Sequence, residues 1–439
     1  KISLFGDGTR AAAIHDDGLE ILDISNPSSI QRIGITPGVP PEYGLYSDVR
    51  IAGDESSVFI NPTIPTTNGS FVVNLADQSS PQLIPYSSNP ATFAWTLTSN
   101  ADGSMVVMGT TGGAGDPNVE GDDHPNLYFF DTTDRASPSL LSTLRLTVPS
   151  RTVTYGVPPY EYTYVLESDL EVHSLTMSPD GNTLYVSCIS EMFSPTDVPL
   201  FFVVDISILT QPRVIAKVDN TDLSGSLPVH CLSPDGSTLY VAGDNSVDPN
   251  SKRFLSAYNV SNPSSPTQIW RYEVVDGAYE NRHYANEIIY DQGTETIYVA
   301  FDTGVRAFEI NSGGVVSDTL ISTGVRANGL ALSANGQFAY VMEHEQLAVY
   351  AINNSFSVSI DVASAPEPEF TPVESEGTVT LNKDSQGRLY ANDNAILNWA
   401  NEHIDETLGA GGGWEVTAAE TVDGVNKMLL LRTGQAHYW

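Results

Sequence analysis

Basic residues are scarce in this 439-residue chain, because 19 Lys and Arg stand against 54 Asp and Glu, for a formal net charge of -35. Nucleic-acid phosphates require Lys and Arg, so the imbalance argues against a nucleic-acid partner. The acidity is typical of a solvated surface in salty medium, and it also fits a protein that collects divalent cations.

Cysteine is almost absent, and the two present, Cys188 and Cys231, lack the Cys-x-x-Cys spacing of a redox or zinc site. They act as two buried free thiols or form a disulfide bond between neighbouring sheets. No apolar run approaches the ~20 residues of a membrane span. The chain begins at Lys1 directly in a strand-like segment, which we interpret as a mature or trimmed form.

Enzyme signatures are also missing. The sequence contains no G-x-S-x-G nucleophile elbow, no phosphate-binding P-loop and no H-E-x-x-H zinc motif. Any catalytic function must therefore come from residues that the fold brings together.

A repeating strand pattern is the strongest positive feature. SPDGNTLYVS at Ser178–Ser187 recurs as SPDGSTLYVA at Ser233–Ala242, and a second phrase, LEILDISNPSS at Leu19–Ser29, recurs as LSAYNVSNPSS at Leu255–Ser265. A period of about fifty residues with four short strands per unit predicts the blades of a β-propeller. We count seven units, and expect the Asp-Gly and Asn-Gly pairs to form tight two-residue hairpins. We also expect the Lys1 end to close the ring against the last blade near Ser355–Val362.

These phrases resemble the LVIVD and YVTN families of seven-bladed propeller repeats. The resemblance covers roughly residues 1–361 and implies an all-β fold. It says little about function, because propellers host binding modules and many enzyme chemistries.

A linker and a small second module follow the predicted propeller of residues 1–362. Residues 363–377 are rich in Pro and Glu and predict an extended, stiff linker. Residues 378–439 predict a small α+β module with a helix from Asn394 to Leu408. The phrase GGWEVTAAETVDGVNKMLLLRTGQAHYW at Gly412–Trp439 resembles the tryptophan-rich C-terminal repeat of cyanobacterial surface and secreted proteins. That family has a further Trp-bearing segment, so the resemblance implies that we should expect a partial module here.

The predicted mouth of the central channel carries polar and aromatic residues. Alignment of the blades on their turns places six residues at equivalent positions at the start of the inner strand. They are Ser47, Trp95, His173, Pro228, Asn286 and Asn328. Such positions form a pocket for a small polar ligand, or they hold channel water.

Histidines cluster near this mouth. His173, His230 and His283 come from blades 4, 5 and 6. Three histidines on adjacent blades could bind a transition metal or supply a general base, as in a lactonase-like hydrolase or a metal-dependent oxidoreductase. Alternatively, each histidine is individually satisfied and the three are unrelated.

An acidic loop in blade 3 reads GDPNVEGDDHPN, with Asp116, Asn118, Glu120 and Asp122 at alternate positions. Ca²⁺ takes six to eight oxygen ligands, so these four side chains predict a calcium site. A solvated Asp-rich loop is the alternative.

Two loops that lead into blades share the phrase GVPP followed by tyrosines, which include Tyr43, Tyr160 and Tyr162. Rigid tyrosines supply apolar area and a hydroxyl group at low entropic cost, as a glycan or peptide site requires. They could instead pack on each other to order the loops.

Two classes of function remain. We favour a calcium-supported, secreted or cell-surface binding or adhesion propeller, whose ligand is a polar small molecule, a glycan or a peptide at the tyrosine-rich mouth. The alternative is a propeller enzyme that uses the three histidines.

We expect calcium at the blade 3 loop to raise the melting temperature, because a ligand that binds only the folded state stabilises it by mass action. Thermal unfolding in millimolar calcium and in EDTA measures the effect. Identical melting curves in the two conditions would contradict the prediction.

Overall fold

A computed structural model describes the chain in segments. The described residues are 1–15, 18–36, 48–60, 72–84, 94–110, 125–148, 151–157, 160–166, 170–189, 199–219, 228–243, 253–274, 285–321, 326–333, 335–343, 346–352, 357–358, 371–374, 381–383, 389–391, 394–395, 415–422, 425–432 and 435–438. The chain divides into two compact units, Lys1–Val362 and Ala363–Trp439.

The described part of the first unit contains seven four-stranded antiparallel sheets, each formed by four strands consecutive in the chain. Blades 1 to 3 comprise β1 Ile2–Leu4, β2 Arg10–His15, β3 Gly18–Asp23 and β4 Gln31–Thr36; β5 Val49–Ile51, β6 Ser57–Ile60, β7 Val72–Asn74 and β8 Gln82–Ile84; β9 Ala94–Ser99, β10 Met105–Thr110, β11 Leu127–Asp131 and β12 Ser139–Leu144. A separate hairpin, β13 Arg151–Val157 and β14 Tyr160–Leu166, follows blade 3.

Blades 4 to 7 repeat the arrangement. They comprise β15 Glu171–Met177, β16 Thr183–Ile189, β17 Phe201–Asp205 and β18 Arg213–Val218; β19 Val229–Leu232, β20 Thr238–Gly243, β21 Arg253–Asn259 and β22 Thr267–Val274; β23 Ala285–Asp291, β24 Thr296–Phe301, β25 Gly304–Asn311 and β26 Gly314–Leu320; β27 Ala327–Leu332, β28 Phe338–Glu343, β29 Gln346–Ala351 and β30 Ser357–Val358. The predicted seven-bladed β-propeller is confirmed.

The first strands of the blades form a closed ring. Each of β1, β5, β9, β15, β19 and β23 contacts the first strand of the next blade, and β27 contacts β1. These seven inner strands surround a central channel. The Lys1 end meets blade 7 at the inner strand β27, whereas β30, the described strand within the expected Ser355–Val362 segment, is the outer strand of blade 7.

Burial explains the sequence signature of the repeat. The second strands, such as β10 and β24, are buried along their whole length, whereas the fourth strands β12 and β18 are half-buried or exposed. A strand covered on both faces needs a continuous apolar run, whereas a strand with one wet face alternates. Phrases such as LYVSC therefore mark the second strand.

Seven hydrophobic clusters hold the ring together, and each lies between two adjacent blades. Tyr185 and Phe201 of blade 4, for example, pack with Leu239 and Phe254 of blade 5. The cluster between blades 7 and 1 joins Tyr340 to Ile2 and so closes the ring.

The Asp-Gly turns differ from the expected two-residue hairpins. In blade 4 the Gly181 N–H donates to Ser178 O at 2.9 Å and the Ser178 N–H donates to Thr183 O at 2.8 Å, which makes a four-residue loop. Gly181 has a φ of 71°, and Asp180 is not among the residues with positive φ. Pro179 fixes its own φ near -65°, which suits the second position of a type I turn followed by Gly. The Asp180 carboxylate instead accepts the Asn182 N–H, at 3.1 Å.

The described part of the second unit consists of strands: a sheet of β31 Thr371–Glu374, β32 Leu381–Lys383, β33 Leu389–Ala391 and β34 Asn394–Ala395, and a sheet of β35 Glu415–Val422, β36 Val425–Arg432 and β37 Gln435–Tyr438. The predicted helix is wrong at its first two residues, because Asn394 and Ala395 pair with β33, and its remainder lies outside the described residues. Strand β31 lies inside the predicted 363–377 linker and pairs with β32, so a β-branched Thr and Val enter a sheet there.

Both cysteines are free thiols. Cys188 is buried in β16, and Cys231 is half-buried in β19.

We expect Gly329→Ala to destabilise the closure between blades 7 and 1. A Cβ atom at Gly329 would lie 2.8 Å from Lys1 Cα, so the backbones would have to separate. Such overpacking costs about 1–3 kcal/mol. Ser174→Ala is the matched control, because Ser174 follows the bulged residue of β15 as Gly329 follows that of β27. Urea unfolding measures both variants, and equal free energies of unfolding for Gly329→Ala and the parent would contradict the prediction.

Candidate functional site

Four inner strands carry a β-bulge near their start, in blades 3, 4, 6 and 7. In each bulge one residue has no register partner on the neighbouring strand: Trp95, His173, Asn286 and Asn328. A bulge re-aims the side chain of its extra residue. The positions that the sequence aligns are therefore structurally equivalent in these blades.

The inner strands surround a cavity of about 590 Å³, which we call the channel cavity. All seven blades contribute to its lining. Its polar lining includes Lys1, Asp48, Arg50, Thr96, His173, Thr176, His230, Asn286 and Glu287. Asn328 is half-buried and does not belong to the lining residues of this cavity.

His230 is almost fully buried, with 5 % of its surface exposed. Its Nδ1 atom lies 2.8 Å from Thr176 Oγ1, and the same Thr176 hydroxyl donates to His230 O at 2.8 Å. The Nε2 atom of His230 is buried and has no hydrogen-bond partner among the described residues. Strands β15 and β19 thus fix one side of the imidazole and leave the other side unsatisfied.

His173, on the neighbouring strand β15, is half-buried, and its Nε2 atom is also buried without a partner in the described part of the chain. The Ala285 backbone of β23 acts to raise the pKa of this ring, against the larger effect of burial. Two histidines from adjacent blades therefore line one cavity, each with an unsatisfied Nε2.

Burial keeps both imidazoles neutral. It lowers the pKa of His173 to about 4, with a further decrease from the nearby Lys1 charge. It lowers the pKa of His230 to about 3, where the proximity of His173 also disfavours protonation. A buried imidazolium loses its hydration without gaining a carboxylate partner, so the charged form is disfavoured.

Charged residues line the cavity on blades 1, 2 and 6. Lys1 Nζ lies 2.8 Å from Glu287 Oε2, with both side chains less than one-fifth exposed, and it also donates to Asn286 O. Arg50 lies 3.3 Å from Asp48 Oδ1 and from Val49 O, and its side chain is 32 % exposed. Lys1 is therefore paired with Glu287, and Arg50 is held at long distances from Asp48. The Asp291 carboxylate also lines the cavity and accepts hydrogen bonds from the Gly293 N–H and Thr294 Oγ1, both at 2.8 Å.

Asp48 connects blades 2 and 3. Its carboxylate accepts hydrogen bonds from Thr96 Oγ1 at 3.1 Å and from the Leu97 N–H at 3.3 Å. The side chain is nearly buried. This role is structural, and it also holds an acidic group at the cavity wall beside Arg50.

Asn286 likewise joins two blades. Its Nδ2 group donates to Asp302 Oδ1 at 2.8 Å and to Ala327 O at 2.9 Å. Its amide donors are thus engaged in holding blade 6 to blade 7, in addition to its place at the cavity wall.

The hairpin β13–β14 places several tyrosines together by register. Val153 pairs with Tyr164, Tyr155 with Tyr162, and Val157 with Tyr160. Directly paired residues and those two positions away share a face of an antiparallel pair. Four tyrosine positions therefore lie on one face of this hairpin.

Several predicted site residues lie outside the described residues. They are Ser47, Tyr43, His283 and the calcium-loop residues Asp116, Asn118, Glu120 and Asp122. Trp95, Tyr160 and Tyr162 are placed by their backbone alone.

Sequence reasoning missed Lys1, Asp48, Arg50, Thr176 and Glu287. Asp48 and Arg50 are two residues apart in a strand whose other positions are Val49 and Ile51, so alternation was the available signal. Thr176 gives no such signal, because its role depends on a contact with the next blade.

The part of the chain that the structure describes contains neither a metal-binding group of side chains nor a membrane-spanning helix. No group of three or more His, Cys, Asp or Glu residues there could hold a metal ion. No helix among the same residues is long and apolar enough to cross a membrane.

Comparisons with known proteins agree with the fold. The LVIVD repeat family model matches residues 12–36, which cover β3, β4 and most of β2. No curated protein matches the sequence.

Three solved structures illustrate the similarity. The periplasmic gluconolactonase PpgL of Pseudomonas aeruginosa is 14 % identical with a TM-score of 0.56, over 80 % of this chain and 93 % of that one. A protein of Lactobacillus plantarum is 13 % identical with a TM-score of 0.54, over 79 % and 92 %. The β-propeller domain of Cps50 (Swd1) from Myceliophteria thermophila is 11 % identical with a TM-score of 0.53, over 80 % and 95 %. At such identities the similarity shows the fold alone.

We expect His230 to make stability depend on pH. Below about pH 6.5 the unfolded chain protonates this imidazole, whereas the folded chain does so only near its pKa of about 3. The unfolded state then binds more protons, so the free energy of unfolding falls as the pH drops from 6.5, by about 2 kcal/mol at pH 5 for this residue.

Urea unfolding of the parent and of His230→Asn at pH 8 and pH 5 isolates the contribution, because the carboxylates that also titrate are common to both chains. The variant should lose about 2 kcal/mol less between the two pH values. Equal losses in the two proteins would refute the assignment.

Proposed function

We propose that the propeller is a binding module that takes a small polar molecule into the channel cavity. The observation that carries this proposal is the pair of buried, unsatisfied Nε2 atoms of His173 and His230, two residues that line one cavity. An unsatisfied buried acceptor costs about 1–3 kcal/mol, so a ligand that satisfies both atoms recovers free energy on binding.

Charge in the cavity supports a polar ligand without strong net charge. Lys1 pairs with Glu287 and Arg50 with Asp48, and Asp291 adds one negative charge, so the lining side chains carry no excess positive charge that would attract an anion. The net charge of -35 over the whole chain adds a general repulsion of anions. Arg50, at 3.3 Å from its described partners, keeps donors to offer a ligand.

A secreted or cell-surface location and an adhesive role extend this proposal. The acidity of the chain suits an exterior medium whose salt screens the charge, and one similar structure is a periplasmic protein. The tyrosine face of the β13–β14 hairpin suits a glycan or peptide at the mouth, because tyrosines bind with little loss of entropy. Calcium at the Asp116–Asp122 loop would support the same module.

A lactonase-like hydrolase is the second candidate. The neutral imidazole of His230 is held by Thr176, and a neutral imidazole can accept a proton from water as a general base. One of the similar structures is a gluconolactonase. This candidate requires turnover of a lactone in addition to binding.

Ligand binding is tested by thermal-shift screening of neutral sugars, sugar acids, lactones, amino acids and short peptides, followed by calorimetry of each hit. A ligand at 100 times its Kd stabilises the fold by about 2.7 kcal/mol. We expect His230→Asn to weaken a hit at least tenfold, because a donor of the ligand would lose its buried acceptor. Arg213→Gln is the control, since Arg213 lies on the outer strand β18 with its side chain 73 % exposed.

Equal affinities of the parent, His230→Asn and Arg213→Gln for every hit would place binding elsewhere and contradict the proposal. Assay of the lactones for hydrolysis separates the two candidates. Turnover that His230→Asn abolishes and Arg213→Gln does not would make the hydrolase the function of this site.

A further inference from the structure

We propose that the channel cavity selects a neutral polyhydroxylated ligand, a sugar or polyol that donates hydrogen bonds to both His173 Nε2 and His230 Nε2, and that Thr176 is the positioning residue that makes His230 an acceptor. The ligand class rests on the function proposed above. The role of Thr176 does not, because it concerns the protein without ligand.

The position of the single hydroxyl proton of Thr176 determines the tautomer of His230. The Thr176 hydroxyl has one proton and contacts two atoms at 2.8 Å, His230 O and His230 Nδ1. The carbonyl oxygen has no proton, so the hydroxyl proton must lie on that contact. Nδ1 must then donate to Thr176 Oγ1, and the neutral ring carries its free lone pair on Nε2.

At His173 the Ala285 backbone raises the pKa of the ring, which is the effect of a carbonyl acceptor on an imidazole donor, and the Nε2 atom is buried. Since Nε2 has no partner in the described chain, Nδ1 is the donor. Both histidines therefore present acceptors.

Two buried acceptors select against ligands that can only accept. A carboxylate or an ether oxygen placed at either Nε2 would oppose two lone pairs, whereas a hydroxyl group supplies a proton. Sites that pair a buried polar group with a substrate hydroxyl strongly reject analogues that lack it. A sugar or polyol carries several hydroxyl donors, and it adds acceptors for Arg50.

Nitrogen-15 NMR of histidine-labelled protein at pH 7, without ligand, tests the tautomers. We expect His173 and His230 to be neutral with the proton on Nδ1. In Thr176→Val the constraint disappears, so His230 should show a mixture of tautomers, while the control Thr176→Ser retains the Nδ1–H form. A proton on Nε2 of His230 in the parent, or an unchanged tautomer in Thr176→Val, would overturn the role of Thr176.

Calorimetry with matched sugars tests the ligand class. Each sugar hit is compared with analogues in which single hydroxyl groups are replaced by O-methyl groups, which keep an acceptor and lose the donor. For two of the hydroxyl positions of the sugar, the parent and Thr176→Ser should bind the O-methyl analogue about 5–150-fold more weakly than the unmodified sugar, because one buried acceptor is left unsatisfied. Thr176→Val should lose this discrimination at one of them.

Other outcomes separate the inference from the proposed function. Binding in the channel cavity by ligands without hydroxyl donors would overturn the ligand class and leave a binding function standing. Zinc binding that shifts both Nε2 resonances would identify a metal site and overturn the ligand class. Failure of every sugar, lactone, amino acid and peptide to bind would overturn the ligand class together with the proposed function.

Discussion

Packing between adjacent blades is the interaction on which the rest of this molecule depends. A single four-stranded blade has two apolar faces and cannot bury either alone, so each blade is completed by its neighbours. The seven hydrophobic clusters lie one to each blade interface, and the last of them joins blade 7 to blade 1. A gap anywhere in the ring would expose two such faces at once.

That requirement determines where polar chemistry can lie. The second strands β10 and β24 are buried along their whole length and contain no charged residue, whereas the inner strands face a channel and contain charged side chains such as Arg50 and Glu287. Polar side chains in the channel also link neighbouring blades, as Asp48 does with Thr96 and Asn286 does with Ala327. The channel wall therefore combines closure of the ring with the possibility of binding, and the two roles share residues.

The repeat pattern allowed the fold to be predicted, because its signals are local. The apolar run of a strand that is packed on both faces lies within about ten contiguous residues, and so does the Pro-Asp-Gly turn. The bulge positions of His173 and Asn286 could be aligned for the same reason. The predicted tight hairpin is wrong because a two-residue loop would need both central residues at positive φ, and of Asp180 and Gly181 only Gly181 has a positive φ. The same four-residue loop forms at Asp102 and Gly103 in blade 3, where alanine precedes the aspartate.

The candidate site was only partly predictable, because its chemistry comes from contacts between blades. Nothing near Thr176 in the sequence indicates that its hydroxyl contacts a histidine 54 residues later in the chain. The interpretation of three convergent histidines treated them as metal ligands or as a general base. Their burial, which lowers the pKa of His173 to about 4 and that of His230 to about 3, could not be seen in the sequence.

The two neutral histidines lower the stability of the free protein, and the packing between blades offsets this loss. Each unsatisfied Nε2 atom lowers the stability of the free protein by about 1–3 kcal/mol. In mild acid the unfolded chain protonates these histidines, which lowers the free energy of unfolding further. The apolar interfaces on both sides of blades 4 and 5 hold β15 and β19 in place regardless of what the channel contains. Because packing between blades is apolar, the two Nε2 atoms can remain unsatisfied in the folded protein, and under the proposed binding function their cost in the free state would become part of the affinity. An apolar ring and a polar channel with unsatisfied groups are thus two consequences of the same blade packing.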